Sequence, residues 1–188
     1  MSKVFVENEI NPLRRVLVHR PDVGISRISP KRAEELLFDD IVHLPRMQKE
    51  HDVFTAILRQ FVGEDNVIEV EQLLYEALEA DPESKEEMIK LVIEHEELPK
   101  SYGDIMRGLS ATALTNLLVT GYHAPDDHFF FDPIPNFIFT RDIAVTVNDH
   151  IIITKAAKEA RYRENFITRF IIYAHPIFAK LQEEKRVI

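Results

Sequence analysis

Residues 14–19, Arg14-Arg15-Val16-Leu17-Val18-His19, are β-branched or apolar at their centre, and Arg20-Pro21-Asp22 closes them. The pattern predicts a short strand. Downstream, Ser29-Pro30 reads as an N-cap followed by proline at the first helical position, so a helix is predicted to about Phe38. A longer helix is predicted after Pro45, with Met47, Phe54, Ile57, Leu58 and Phe61 on one face and Gly63 as its stop. Val67-Ile68-Glu69-Val70 is a second short strand. Strand, short helix, long helix, strand is an α/β opening, and residues 1–72 are read as a first α/β unit.

The next stretch differs in charge. Residues 64–97 hold 13 Asp or Glu and two Lys, a net of −11, against −9 for the whole chain, so the remainder nets +2. Within it Leu73, Leu74, Ala77 and Leu78 form one apolar stripe, and Asp81-Pro82 restarts a helix carrying Met88, Leu91, Val92 and His95. Two more helices are predicted, from Ser101 to Leu109 and from Ser110 to Gly121, the last with Leu114, Leu117 and Leu118 inward. Short helices cannot each bury a face alone, so residues 73–122 are expected to pack as a small bundle. Its acid run reads as a solvated helical face.

Residues 123–188 are read as a second α/β unit. A loop at His123-Ala124-Pro125-Asp126-Asp127-His128 is followed by a strand predicted within residues 135–142, PNFIFTRD. Ala144-Val145-Thr146-Val147 and Ile151-Ile152-Ile153-Thr154 flank Asn148-Asp149-His150, which is hairpin spacing. The last helix is expected from Ala156 to about His175, with Ile167, Phe170, Ile171 and Ala174 inward and Pro176 as its stop.

Composition excludes several classes of function. Twenty-three Lys and Arg against 32 Asp and Glu disfavour nucleic acid as a partner, because neutralising phosphates needs an excess of cations. No apolar run approaches the roughly 18–20 residues that span a bilayer, and the first ten residues have no signal-peptide core, so a cytoplasmic protein is expected. The chain has no cysteine, which removes disulfides, thiolate metal sites and a cysteine nucleophile. Among its five glycines there is no Gly-rich phosphate-binding string.

Four constellations carry possible chemistry. In PNFIFTRD, Phe139 offers a wall and Asp142 a carboxylate to a planar cation; the plain alternative is a solvated Arg–Asp pair. In Ala160-Arg161-Tyr162-Arg163-Glu164, either arginine offers a fork to a carboxylate; the alternative is ion pairing within a helix. Leu36-Leu37-Phe38-Asp39-Asp40 places two acids after an apolar run, for acid–base work or simply for a helix end. His123, Asp126, Asp127 and His128 have metal-ligand residue types at a spacing that matches no standard site, so no metal is expected. The other histidines have no evident carboxylate partner in sequence.

Taken together and in order, these strings resemble the N-terminal part of arginine deiminases, guanidine-modifying enzymes of the pentein superfamily. Residues 13–21, LRRVLVHRP, look like the family's opening strand; 35–40, ELLFDD, and 135–142, PNFIFTRD, are similar to its signatures; Ala160-Arg161-Tyr162-Arg163-Glu164 and His175-Pro176 follow. Ile143 stands where the family often has proline, and Asn148-Asp149-His150 replaces a glycine-containing turn.

The resemblance implies a partial αβ-propeller: two ββαβ-type units with an inserted helical bundle. It implies hydrolysis of L-arginine to citrulline and ammonia. In that reaction two aspartates grip the guanidinium, a cysteine attacks its carbon, and a histidine and a glutamate handle protons. Asp142 is then one gripping carboxylate, Phe139 the wall, Arg161 the partner of the substrate α-carboxylate, Leu37 a lining residue and Asn136 a support. The cysteine, histidine, glutamate and second aspartate belong to a part of the family's sequence that this chain does not contain, so inactivity alone is expected. No cofactor, metal, nucleic acid or membrane is implied. An unclosed ring exposes apolar surface, so homo-oligomers are expected. A catalytically dead interaction module, or another guanidine hydrolase or amidinotransferase, is the alternative.

Overall fold

The computed structural model describes residues 4–38 and 42–188. Asp39 and Asp40 of the ELLFDD string lie outside the described residues.

Strand β1 (Val16–Val18) pairs in parallel with β2 (Val67–Glu69), in the register Val16 to Val67, Leu17 to Ile68 and Val18 to Glu69. Parallel strands need a crossover, and α1 (Leu44–Val62) supplies it. Pro45 sits in the first turn of α1, and Gly63 ends it at φ +89°, as its sequence predicts. Much of the apolar face of α1 is nevertheless uncovered: Phe54, Ile57 and Phe61 are exposed, Met47 and Leu58 are half-buried, and Thr55 is its buried residue. Residues 29–38 also depart from expectation. They form a 3-10 turn over Pro30–Arg32 and further turns, not a regular helix. Their last turn ends with Leu37 at φ +56°, Phe38 N–H on Ala33 O and Leu37 N–H on Glu34 O. That is a helix-terminating loop with leucine in the left-handed position that glycine usually takes.

The helical segment forms as its periodicity predicts. Helices α2 (Val70–Ala80), α3 (Pro82–His95), α4 (Lys100–Gly108) and α5 (Ala111–Thr120) follow one another. Asp81 accepts from Glu83 and Ser84 N–H, and Ser110 from Ala113 N–H, so both caps satisfy otherwise orphaned donors. In α3 the buried stripe is Met88, Ile89 and Val92, while Leu91 is exposed. Gly121 stops α5 at φ +70°, and a Cβ there would lie 2.0 Å from Phe131 O, so only glycine allows this approach.

Beyond Gly121, β3 (Tyr122–His123) and β4 (His128–Phe129) form a small antiparallel pair. PNFIFTRD is not a strand. It is a 3-10 turn over Pro135–Ile138 followed by the single-turn helix α6 (Thr140–Ile143). The expected hairpin is present: β5 (Ala144–Val147) pairs with β6 (His150–Ile153), Val147 opposite His150, and Asn148 takes φ +50° in the turn. Asparagine tolerates that conformation without glycine. Helix α7 (Tyr162–Ala174) starts six residues later than predicted, after a 3-10 turn at Glu159–Arg161. After α8 (Ala179–Glu183) the chain returns beside β6: Ile151 N–H bonds Arg186 O, and Ile153 N–H bonds Ile188 O. The Ile151–Val187 bridge is parallel, so β5, β6, α7 and the return make a ββαβ connection.

One buried apolar cluster joins the helical segment to the hairpin and α7. It contains Leu74, Met88, Leu114, Leu118, Phe137, Ile151, Ile167 and Ile171. Each fully buried side chain of this size contributes roughly 1.5–3 kcal/mol. The fold is a mixed α/β arrangement of small sheets and helices around that cluster. Among the described residues no helix is long and apolar enough to cross a membrane.

Candidate functional site

The turns at 135–142 are local, which is why an apparently strand-like string does not pair with a neighbour. Phe139 N–H bonds Asn136 O at 3.0 Å, and Asp142 N–H bonds Phe139 O at 2.8 Å. Phe137 is buried against the His19 ring at 5.0 Å. Thr140 Oγ1 donates to Leu17 O at 2.9 Å, fixing the segment to β1, and Thr154 Oγ1 donates to Asp142 O. Phe139 and Asp142 are thereby left at the surface on a firmly held backbone.

Asn136 is buried, and its Nδ2 donates to Leu36 O at 2.8 Å. This bond brings the 33–38 turn against the 135–142 turn. Leu37, next along, is partly exposed in its left-handed conformation. It lines a groove of about 570 Å³ together with Asp132, Lys158, Ala160 and Arg163; Phe139, Asp142 and Arg161 do not line that groove. Leu37 is therefore not in the same groove as those three residues.

The two candidate arginines separate cleanly. Arg163 is buried: it donates to Leu118 O at 3.0 Å and to Asp132 O, pairs with Glu96, and stacks 4.3 Å from the centre of the Phe131 ring. Burial pushes its pKa down. Every one of these contacts is structural. Arg161 is different. Its Nη1 reaches Asp142 Oδ2 at 3.0 Å, while its Nε and Nη2 reach Glu164 Oε2 at 2.9 and 2.8 Å. Burial works against its charge, and the bonds to Glu164 and Asp142 outweigh that, so its pKa is raised.

Glu164 is the residue that sequence reasoning read only as an ion-pair partner. It lies in the first turn of α7, its side chain is 1% exposed, and burial pushes its pKa up to about 6. Its Oε1 has no hydrogen-bond partner among the described residues. The i,i+3 spacing from Arg161 was visible in sequence; the burial was not.

His19 and His175 gain carboxylate partners that the sequence did not reveal. His19 lies between Asp22 and Glu69, each at 3.1 Å. Burial lowers its pKa, but the bonds to Asp22 and Glu69 outweigh burial and raise it to about 9. His175 pairs with Glu76 at 2.8 Å, and His123 with Asp126 at 2.9 Å. In the 123–128 loop Asp127 accepts from Tyr122 Oη, so both loop acids are engaged within the chain. Among the described residues no group of three His, Cys, Asp or Glu stands ready to hold a metal ion.

Chemically, Asp142 presents a half-exposed carboxylate whose Oδ1 is available to a planar cation, beside an exposed aromatic ring. The Arg161 guanidinium that meets this carboxylate is itself engaged by Glu164 and Asp142. Comparison with known proteins bears on this arrangement. A family model described as arginine deiminase matches residues 34–121 and 104–186, spans that include Leu37, Asn136, Phe139, Asp142 and Arg161. The chain is 34% identical over 198 residues to an arginine deiminase of Bacillus cereus (strain B4264), covering 94% of this chain and 48% of that protein. It is 37% identical over 201 residues to an arginine deiminase of Limosilactobacillus fermentum, covering 95% and 48%. The chain spans about half the length of the curated relatives it matches.

Proposed function

The chain belongs to the arginine deiminase family, and from that membership we propose that it is the substrate-gripping half of an enzyme that hydrolyses L-arginine to L-citrulline and ammonia. Asp142 takes the guanidinium, Phe139 stacks on it, and Arg161 meets the α-carboxylate. Asn136 holds the 33–38 turn in place, and Leu37 lines the approach. The observation that carries the reading is the Asp142–Arg161 contact at 3.0 Å, which joins two segments 19 residues apart into one charged pair at the surface.

The reaction proposed for the family passes through a thiouronium formed on a cysteine. This chain has no cysteine, so that intermediate cannot form on it. The nucleophile, the histidine, the glutamate and the second aspartate come from polypeptide outside it. The fold in this reading is two units of a pentein ring, and the ββαβ connection of β5, β6, α7 and residues 186–188 supports it. The exposed face of α1 supports self-association. The enzyme works in the cytoplasm in this reading and requires no cofactor.

Two measurements test the proposal. Titration calorimetry with L-arginine is expected to show no sub-millimolar binding by the chain alone, because an exposed ion pair contributes only about 0–1 kcal/mol. Fused to the second half of the Limosilactobacillus fermentum relative, the chain is expected to support citrulline formation, and Asp142→Ala to abolish it. A folded, active chimera whose turnover is indifferent to Asp142→Ala overturns the assignment.

A further inference from the structure

Arg161 is shared by two carboxylates of unlike character. Glu164 takes it through two nitrogens, Nε and Nη2, and Asp142 through one, Nη1. The Glu164 side chain is 1% exposed and that of Asp142 is 50% exposed. Releasing Arg161 from Asp142 returns a half-solvated carboxylate to water, which costs little. Releasing it from Glu164 strands a buried charge whose other oxygen already lacks a partner among the described residues. The two contacts are therefore not equivalent.

The proposed roles of the pair make the difference matter, and here the argument rests on the arginine-binding reading. In an extended arginine the carboxylate and the guanidinium carbon lie about 6–7 Å apart, by ordinary bond lengths. Asp142 and Arg161, in contact at 3.0 Å, cannot hold opposite ends of one such molecule without separating. Which of them stays is decided by Glu164. The Asp142 backbone is fixed by its bonds to Phe139 O and from Thr154 Oγ1, so its carboxylate moves by side-chain rotation.

We propose that Glu164 is the positioning residue of this site: it is the fixed anchor of Arg161, and Asp142 is the releasable partner that swings away to receive a planar cation. In the closed state the Arg161 guanidinium occupies the carboxylate meant for an incoming guanidinium, as a stand-in from the chain itself. Once Asp142 leaves, Nη1 is freed to take an anion while Nε and Nη2 stay on Glu164.

The test is hydrogen exchange of the Arg161 Nε–H, followed by nitrogen-15 NMR in the chain as it is. Glu164→Gln is expected to speed exchange roughly tenfold, the scale of one lost charge-assisted bond, and Asp142→Asn to leave it unchanged. Equal effects of the two variants, or a larger effect of Asp142→Asn, overturn the proposal. Should Glu164→Gln fail to fold, the wild-type pH profile decides. The charged groups acting on Glu164 are Arg161, Asp142 and Arg163. Protection of Nε–H is expected to fall between pH 7 and 5 with a midpoint near 6, and a flat profile overturns the anchor. L-Arginine at tens of millimolar separates this proposal from the reading beneath it. A shift of the Asp142 carboxyl carbon with Nε–H still protected supports both. No shift alongside the variant asymmetry supports the anchor and counts against arginine as the ligand.

Discussion

Helices α1 and α2 are both amphipathic by sequence, and they meet opposite fates. In α2 the stripe Val70, Leu73, Leu74, Ala77 and Leu78 is buried, with Leu74 at 0% exposure. In α1 most of the corresponding stripe faces solvent: Phe54, Ile57 and Phe61 are exposed, Phe61 at 81%, and only Met47 and Leu58 are half-buried. Periodicity forms a helix and orders its face, but it does not supply the surface that covers that face. For α2 the cover is α5 and α7, both within this chain. Substitutions that act through packing should therefore be costly around α2 and nearly silent on α1.

The largest effect is expected where the covered region is wired by charge. Arg163→Ala removes the buried partner of Glu96 and should cost about 3–5 kcal/mol in denaturant unfolding. A loss below 1 kcal/mol would show that α7 is not tied to α3 and α5 as described. Next, Leu74→Ala in α2 should cost about 2–5 kcal/mol, against less than about 0.5 kcal/mol for Phe61→Ala in α1. Similar losses at the two positions would mean that α1 is covered in solution.

A third expectation concerns the end of β1, where α1 and β2 begin to share partners. His19 has a folded pKa of about 9 against an ordinary 6.5, so its stabilisation is fully present below pH 6.5 and is lost as pH rises through 9. The loss is on the order of 3 kcal/mol, and His19→Gln should flatten that part of the stability profile. A wild-type stability that is constant from pH 7 to 10 would contradict it. The smallest effect on folding should carry the largest effect on association. Phe54→Ser with Phe61→Ser should leave unfolding nearly unchanged and shift sedimentation toward monomer. Wild-type protein that sediments as a monomer at high concentration would remove the grounds for self-association.

Much of the fold was legible where local rules act alone. The stripe of α2, the Asp81 and Ser110 caps, the stop at Gly121 and the 144–153 hairpin all follow from spacing and turn residues. PNFIFTRD was misleading because Phe137, Ile138 and Phe139 imitate a strand; Pro135 and the bonds from Phe139 to Asn136 and from Asp142 to Phe139 close turns within the string. Residues 29–38 have helix-forming composition, yet Arg32 is held by Asp132, and Leu36 and Phe38 are buried on either side of an exposed Leu37. No continuous helical repeat satisfies both constraints. Of the candidate site, the residue types were visible and the resemblance singled out Arg161; what spacing did not show is that Arg163 is buried against Glu96 while Arg161 reaches Asp142 at the surface.

The amino-acid order by itself determined which segments become helices and hairpin, where they stop, and that no thiol chemistry takes place on this chain, because each depends on residues within a turn or two or on composition alone. Only the tertiary structure decided which charges are spent on the fold and which remain available. Arg161 and Arg163 are two positions apart on the same helix start, and what separates them is burial and the carboxylates reached from other segments. A guanidinium is committed or exchangeable according to the water and partners around it, and packing alone sets those.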